Sequence, residues 1–174
     1  MFWKKKTPPS SPLPPELPKP EKEPIRHGKG HPGTFEGPKN RLEEALIAMR
    51  TRKIETTRFL EELFNSQIYV LPQAKDLVSS SEKVTLSKSP TLFCMNYPEY
   101  SAIALYTSPE RAKPTCDLHP DFRYATEVHA GDFLSSLKGD FGLVINPYWD
   151  VNVEWSNQQV ARILAMLKKD ETGG

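Results

Sequence analysis

Cys116-Asp117-Leu118-His119 brings together the residue types best suited to chemistry in this chain. A thiol and an imidazole three positions apart can share a metal ion, or act as thiolate and base on an electrophile. Either role needs a second half. The remaining candidates are Cys94, His129 and scattered carboxylates, so an ordinary loop cysteine and histidine are the simpler reading. Cys94 lies in an apolar run, where an inert buried thiol is the default. No Gly-rich phosphate loop, Gly-x-Ser-x-Gly elbow or His-Glu-x-x-His helix is present, which removes the usual nucleotide, serine-hydrolase and zincin readings. We therefore assign no catalytic residue, metal or cofactor. A small-molecule-binding domain or thiol-dependent enzyme using Cys116 and His119 stands as the alternative.

A different kind of chemistry is suggested by Tyr148, Trp149 and Trp155, which flank Asp150 and Asn152 beside an Asn146-Pro147 turn. Aromatic rings near a loop provide large contact area at little rotamer cost, which is what a protein-recognition surface needs. Tyr148, Trp149, Asp150 and Asn152 are the candidate interaction residues. The bland alternative is that Trp155 staples a helix and Tyr148 packs on a sheet.

These residues must be positioned by elements that the periodicity predicts. Asn40 with Glu43 reads as a capping box, and Leu42, Ala45, Leu46 and Met49 follow on one helical face. Phe59, Leu60, Leu63 and Phe64 form a second stripe over about 55 to 65. Strands are then expected at 68 to 71, 84 to 86, 91 to 95 and 101 to 106, with 73 to 83 as loop. The last three of these strands, joined by tight links, favour antiparallel pairing.

Ser108-Pro109 starts a short helix expected to end by Pro114. A strand over 124 to 128, a turn capped by Asp132, a strand over 142 to 145 and an edge strand over 151 to 154 follow. Ser156 and Gln159 make a second capping box, with Trp155 and Val160 as its hydrophobic staple, and a final helix carries Val160, Ile163, Leu164 and Leu167. The predicted fold is α/β of the α+β kind: a single mixed, largely antiparallel sheet packed with helices, two of which precede the first strand.

Residues 1–38 read differently. Ten of the 17 prolines fall there, with almost no periodic apolar pattern, so this arm is expected to be disordered. Pro9, Pro12, Pro15 and Pro18 recur every three residues and would share one edge of a polyproline II helix, either as a ligand ridge or as part of a stiff spacer. Met1-Phe2-Trp3-Lys4-Lys5-Lys6 could rest weakly on an anionic surface, and His27 with His31 reads as solvated linker. The domain is expected over 39–170, with 171–174 as a flexible tail. Gly173-Gly174 could serve as a ubiquitin-like tail, but two helices before the first strand argue against that fold.

The arm carries seven Lys/Arg against four Glu, leaving the remainder at −2 within a net charge of +1. That weakly acidic remainder offers nucleic acid no footprint. No apolar stretch approaches the roughly 20 residues of a transmembrane helix, and no apolar leader opens the chain, so a cytoplasmic protein with reduced cysteines is expected.

The strand leading into Tyr106-Thr107-Ser108-Pro109-Glu110-Arg111, with the later Gly142-Leu143-Val144-Ile145-Asn146-Pro147 before the C-terminal helix, resembles the SseB N-terminal domain family over about residues 40 to 168. The resemblance implies a mixed α/β domain of bacterial proteins and transfers no catalytic residues. Against longer members of the family, the second region that they carry is expected to be missing here. Taken together, the expected function is a non-enzymatic cytoplasmic protein-interaction domain, extending to an accessory or immunity role. Its partner is a protein of unknown identity, and its oligomeric state is not encoded in any motif.

Overall fold

The computed structural model describes residues 36–79, 84–87 and 89–171. Two helices, α1 (Arg41–Arg50) and α2 (Thr56–Phe64), precede β1 (Gln67–Val70). Asn40 caps α1 by accepting from the Glu43 backbone N–H at 2.9 Å. The apolar stripes act as predicted: Leu42, Leu46, Met49, Phe59, Leu60 and Leu63 are all buried in one core.

Four strands make the central sheet, in the order β4 (Cys94–Asn96), β5 (Ser101–Leu105), β7 (Gly142–Ile145), β8 (Val153–Trp155). The β5–β7 pair is parallel and its neighbours are antiparallel. Between β5 and β7 the chain forms α3 (Pro109–Leu118), β6 (Thr126–His129) and α4 (Ala130–Ser136). β6 pairs antiparallel with β1, and that ribbon is stitched to the end of β5 by a Tyr69–Tyr106 bridge. β2 (Leu77–Ser79) and β3 (Val84–Leu86) form a separate antiparallel ribbon. The class is therefore α+β with mixed, largely antiparallel pairing, although the strands divide between one larger sheet and two ribbons.

Alternation along the central strands gives the sheet two different faces. Ile103, Leu105, Leu143, Ile145, Val153 and Trp155 belong to the large core with α1, α2, α4 and α5 (Asn157–Glu171). Ala102, Ala104 and Val144 point the other way, into a smaller cluster with Ala112 of α3, Tyr97 and Tyr100. Small side chains on that face leave room for aromatic rings to lie against the strands.

Several local expectations are corrected. Residues 73 to 79 are not wholly loop, because Ala74–Asp76 form a 3-10 turn and β2 follows it. β3 pairs with β2, leaving β4 and β5 as the hairpin. Helix α3 continues past Pro114 to Leu118, since Ala112 and Thr115 on either side are buried and Tyr106 donates to the Thr115 hydroxyl at 2.8 Å. Tertiary anchoring there outweighs the proline penalty. Helix α4 begins before Asp132, with His129 as its cap. The last capping box forms as read: the Ser156 N–H donates to the Gln159 side chain at 2.8 Å, and the Gln159 N–H donates to the Ser156 hydroxyl at 3.4 Å.

The proline ridge at Pro9, Pro12, Pro15 and Pro18, the segment from Met1 to Lys6, His27 and His31, and Gly173-Gly174 lie outside the described residues.

Candidate functional site

The candidate surface begins where β7 ends. Asn146 and Tyr148 both take left-handed backbone angles, at φ 52° and 68°, on either side of Pro147. Asparagine tolerates that region, and here its side chain is fully employed. The Asn146 Oδ1 accepts from the Thr107 N–H at 3.0 Å, and its Nδ2 donates to the Thr107 hydroxyl at 2.9 Å. Its own N–H donates to the Leu105 carbonyl at 2.8 Å. The carboxyl ends of the two parallel strands are thus fastened to each other, and the following residues are thrown outward.

Beneath them lies an ion pair that the sequence reading missed. Arg111 Nε and Nη2 donate to the two Glu43 carboxylate oxygens, each at 2.9 Å, with side-chain exposures of 1% and 0%. Nη2 also donates to the Gly37 carbonyl at 3.0 Å, and the Thr107 hydroxyl donates to Glu43 at 2.6 Å. Glu43 was expected to close a capping box on Asn40, but its second oxygen accepts from the Lys39 N–H at 2.8 Å instead. Burial alone would raise the Glu43 carboxyl, yet the hydrogen bonds from Arg111, Thr107 and Lys39 hold it below the usual carboxylate value. A glutamate inside a helical stripe and an arginine 68 residues away carry no mutual sequence signal.

This pair positions Trp149. The Arg111 guanidinium lies 4.4 Å from the centre of the indole, whose Nε1 donates to the Arg111 carbonyl at 2.8 Å. Stacking of a buried cation on indole is favourable by about 0.5 to 2 kcal/mol. Trp149 is therefore half-buried and held, Tyr148 is half-buried, and Asp150 is exposed. Asn152 donates through Nδ2 to the Trp149 carbonyl at 2.9 Å, and Arg50 Nη1 donates to the Asn152 backbone carbonyl. The four sequence-nominated residues thus occupy one loop, braced from below by α1 and α3. Trp155, by contrast, is fully buried on β8 against Phe59.

On the small-residue face, two further tyrosines meet this loop's strand. Tyr97 and Tyr100 stack with ring centres 4.9 Å apart, and their hydroxyls donate to the two oxygens of Glu154 on β8 at 2.8 and 2.7 Å. Burial first, and then the bond to Glu154, push the Tyr97 hydroxyl upward, with Tyr100 and Tyr148 adding to the effect. No single motif announces this cluster. Its signal is the period-two placement of Ala102, Ala104 and Val144 opposite bulky residues.

The thiol alternative gains no geometry. Cys116 packs against the smaller cluster, while the His119 ring lies 4.6 Å from that of Phe93. No hydrogen bond among the described residues joins either cysteine to His119 or His129. Burial raises the pKa of both thiols, and for Cys116 the Asp117 carboxylate adds to it, which suppresses rather than promotes thiolate. No group of three or more His, Cys, Asp or Glu able to hold a metal occurs among the described residues. An open trough of about 1210 Å³ runs along β6, lined by Tyr124, Glu127, His129 and Phe133, and includes neither Cys116 nor His119. No described helix is long and apolar enough to cross a membrane.

Compared with known proteins, residues 42–162 match the SseB protein N-terminal domain. No curated protein and no solved structure matches the chain.

Proposed function

The chain belongs to the SseB protein N-terminal domain family, and from that premise we propose that it is a non-enzymatic, cytoplasmic protein-interaction domain whose contact surface is the loop bearing Tyr148, Trp149, Asp150 and Asn152. The observation that carries this reading is the seating of Trp149 on the buried Arg111 guanidinium. An aromatic fixed before binding loses little rotamer freedom on contact, and central anchors of this kind dominate interface energetics. The adjoining Tyr148 and Asp150 supply apolar area and charge around that anchor. An accessory or immunity role falls within the same reading.

The test is capture of partners from the native host by the full chain and by a Tyr148→Ala, Asp150→Ala double variant, identified by mass spectrometry. Neither side chain belongs to the buried ion pair, so the variant should keep its unfolding midpoint while losing the partner. Loss of these two side chains beside the anchor should weaken binding by about 1 to 2 kcal/mol, or roughly 5- to 30-fold. Retention of every partner at wild-type affinity would remove the loop from consideration.

A further inference from the structure

The β1–β6 ribbon has one edge stitched to the central sheet and one that no described strand covers. Tyr69 spends both of its backbone groups on the stitched side: its N–H donates to the Tyr106 carbonyl at 2.8 Å, and the Tyr106 N–H donates to its carbonyl at 2.9 Å. Directly opposite Tyr69 on β6 stands Glu127. In an antiparallel pair, opposed residues either exchange both hydrogen bonds or turn both sets away from each other. Tyr69 turns away from β6, so the N–H and carbonyl of Glu127 turn away from β1. The Ala130 N–H, which donates to the Ser66 carbonyl at 3.0 Å, has the matching phase. Thr126 and Val128 are therefore the positions bonded to β1, and the His129 N–H points outward with the backbone of Glu127. Among the described residues β6 pairs with β1 alone.

This edge lies along the open trough. Phe133 and Asp132 of α4 contribute to its wall, as do Leu77 and the 45% exposed Tyr124. The two faces of β6 differ in chemistry. Val128 packs against the large core, whereas Glu127 is exposed, with its Oε1 accepting from the Tyr69 hydroxyl at 2.7 Å. That bond holds the carboxylate at the edge and leaves its charge in place. Two carboxylates, Glu127 and Asp132, line the trough, and no lysine or arginine does. His129, 3.4 Å from Asp132, is the one basic side chain there.

We propose that the free edge of β6 is a second docking site, which takes an extended segment of a protein partner as an added strand, with a basic residue opposite Glu127 and apolar residues on either side of it. Side chains alternate along a strand, so the neighbours of that basic residue turn toward the Val128 and Phe133 side. Main-chain bonds to the Glu127 backbone and the His129 N–H supply affinity, and the alternating side chains supply specificity. A second copy of this chain would bring its own Glu127 and Asp132 into an acidic trough, and like charges oppose that pairing. The edge shares no residue with the loop of Tyr148, Trp149, Asp150 and Asn152, so either surface can fail its test alone.

The test is a titration of the full chain with a capped heptapeptide that has valine, lysine and valine at its centre and serine and threonine flanks, followed through the backbone amide resonances. The Glu127 and His129 amides should shift saturably and gain protection from hydrogen exchange. The same peptide N-methylated at its central lysine loses one main-chain donor and keeps the side chain, and should bind about fivefold more weakly. A version with glutamate for lysine should bind about threefold more weakly, and Glu127→Gln should remove that preference while leaving the N-methyl penalty.

No saturable shift up to roughly 10 mM overturns the inference, as does binding indifferent to N-methylation or to the sign of the central charge. Protection of the Glu127 and His129 amides in peptide-free protein overturns it as well. Independent of protein concentration, it would mean that the chain covers its own edge; rising with concentration, it would mean that a second copy does.

Discussion

Replacing Glu43 by Gln would leave the Arg111 guanidinium charged, almost fully buried and without the Glu43 carboxylate. Breaking one side of such a pair typically costs about 3 to 5 kcal/mol, whereas removing both sides with well-packed apolar residues is often nearly neutral. Urea unfolding should therefore show Glu43→Leu and Arg111→Met each strongly destabilised, and the Glu43→Leu, Arg111→Met double variant less so than the sum. Additive losses would mean that the two side chains act separately. The acid limb has a defined sign. Glu43 has its folded pKa lowered from the ordinary 4.5, so it is protonated less readily when folded than when unfolded. Its contribution is complete above the ordinary value and is lost as pH falls through the lowered one. Unfolding midpoints measured from pH 7 to 3 should decline more steeply below about pH 4.5 in the wild type than in Glu43→Gln.

Among elements, the central sheet depends on one glycine at the start of β7. A Cβ at Gly142 would meet Tyr100 Cε2 at 2.5 Å and the Trp155 carbonyl oxygen at 2.7 Å. The tyrosine is tied to Glu154 through its hydroxyl, and the carbonyl belongs to the neighbouring strand. Overpacking of this kind costs about 1 to 3 kcal/mol, so Gly142→Ala should lower the urea midpoint and also shift the Tyr97 and Tyr100 ring resonances. A lowered midpoint with both rings unmoved would show that the strand, not the tyrosine, had yielded. Elements of this kind were only partly legible beforehand. The Ser156–Gln159 box and the helical stripes of α1 and α2 depend on residues three or four apart, and local spacing found them. The end of α3 was misjudged because what carries the helix through Pro114 is the contact of Thr115 with Tyr106, nine residues away. The strand at 84 to 86 is where the sequence places it, but its partner β2 falls in a segment read as loop, since three residues offer too few positions for alternation to register. Within the site, aromatic clustering identified the loop, but the ion pair beneath it and the tyrosine pair beside it depend on partners 54 to 68 residues apart.

At the scale of the whole molecule, the remaining question is where the folding unit starts. Composition placed the boundary after Pro38, and the family match begins at residue 42. The hydrogen bonds argue for a slightly earlier start, because the Gly37 carbonyl accepts from Arg111 and the Lys39 N–H donates to Glu43. Both termini of the buried ion pair are thus completed by backbone groups lying ahead of the first helix. Deleting residues 1–35 keeps both bonds and sets the reference against which the longer deletion is read. Deleting residues 1–38 removes the carbonyl and leaves a buried guanidinium N–H without its acceptor, a loss of about 1.5 to 3 kcal/mol. Parallel urea titrations of the two truncations separate the possibilities. If they unfold together, water replaces the Gly37 carbonyl and the ion pair is sealed by α1 and α3 alone. If they separate, the segment just before α1 belongs to the domain, and a partner lost on the longer deletion cannot be assigned to recognition by the arm.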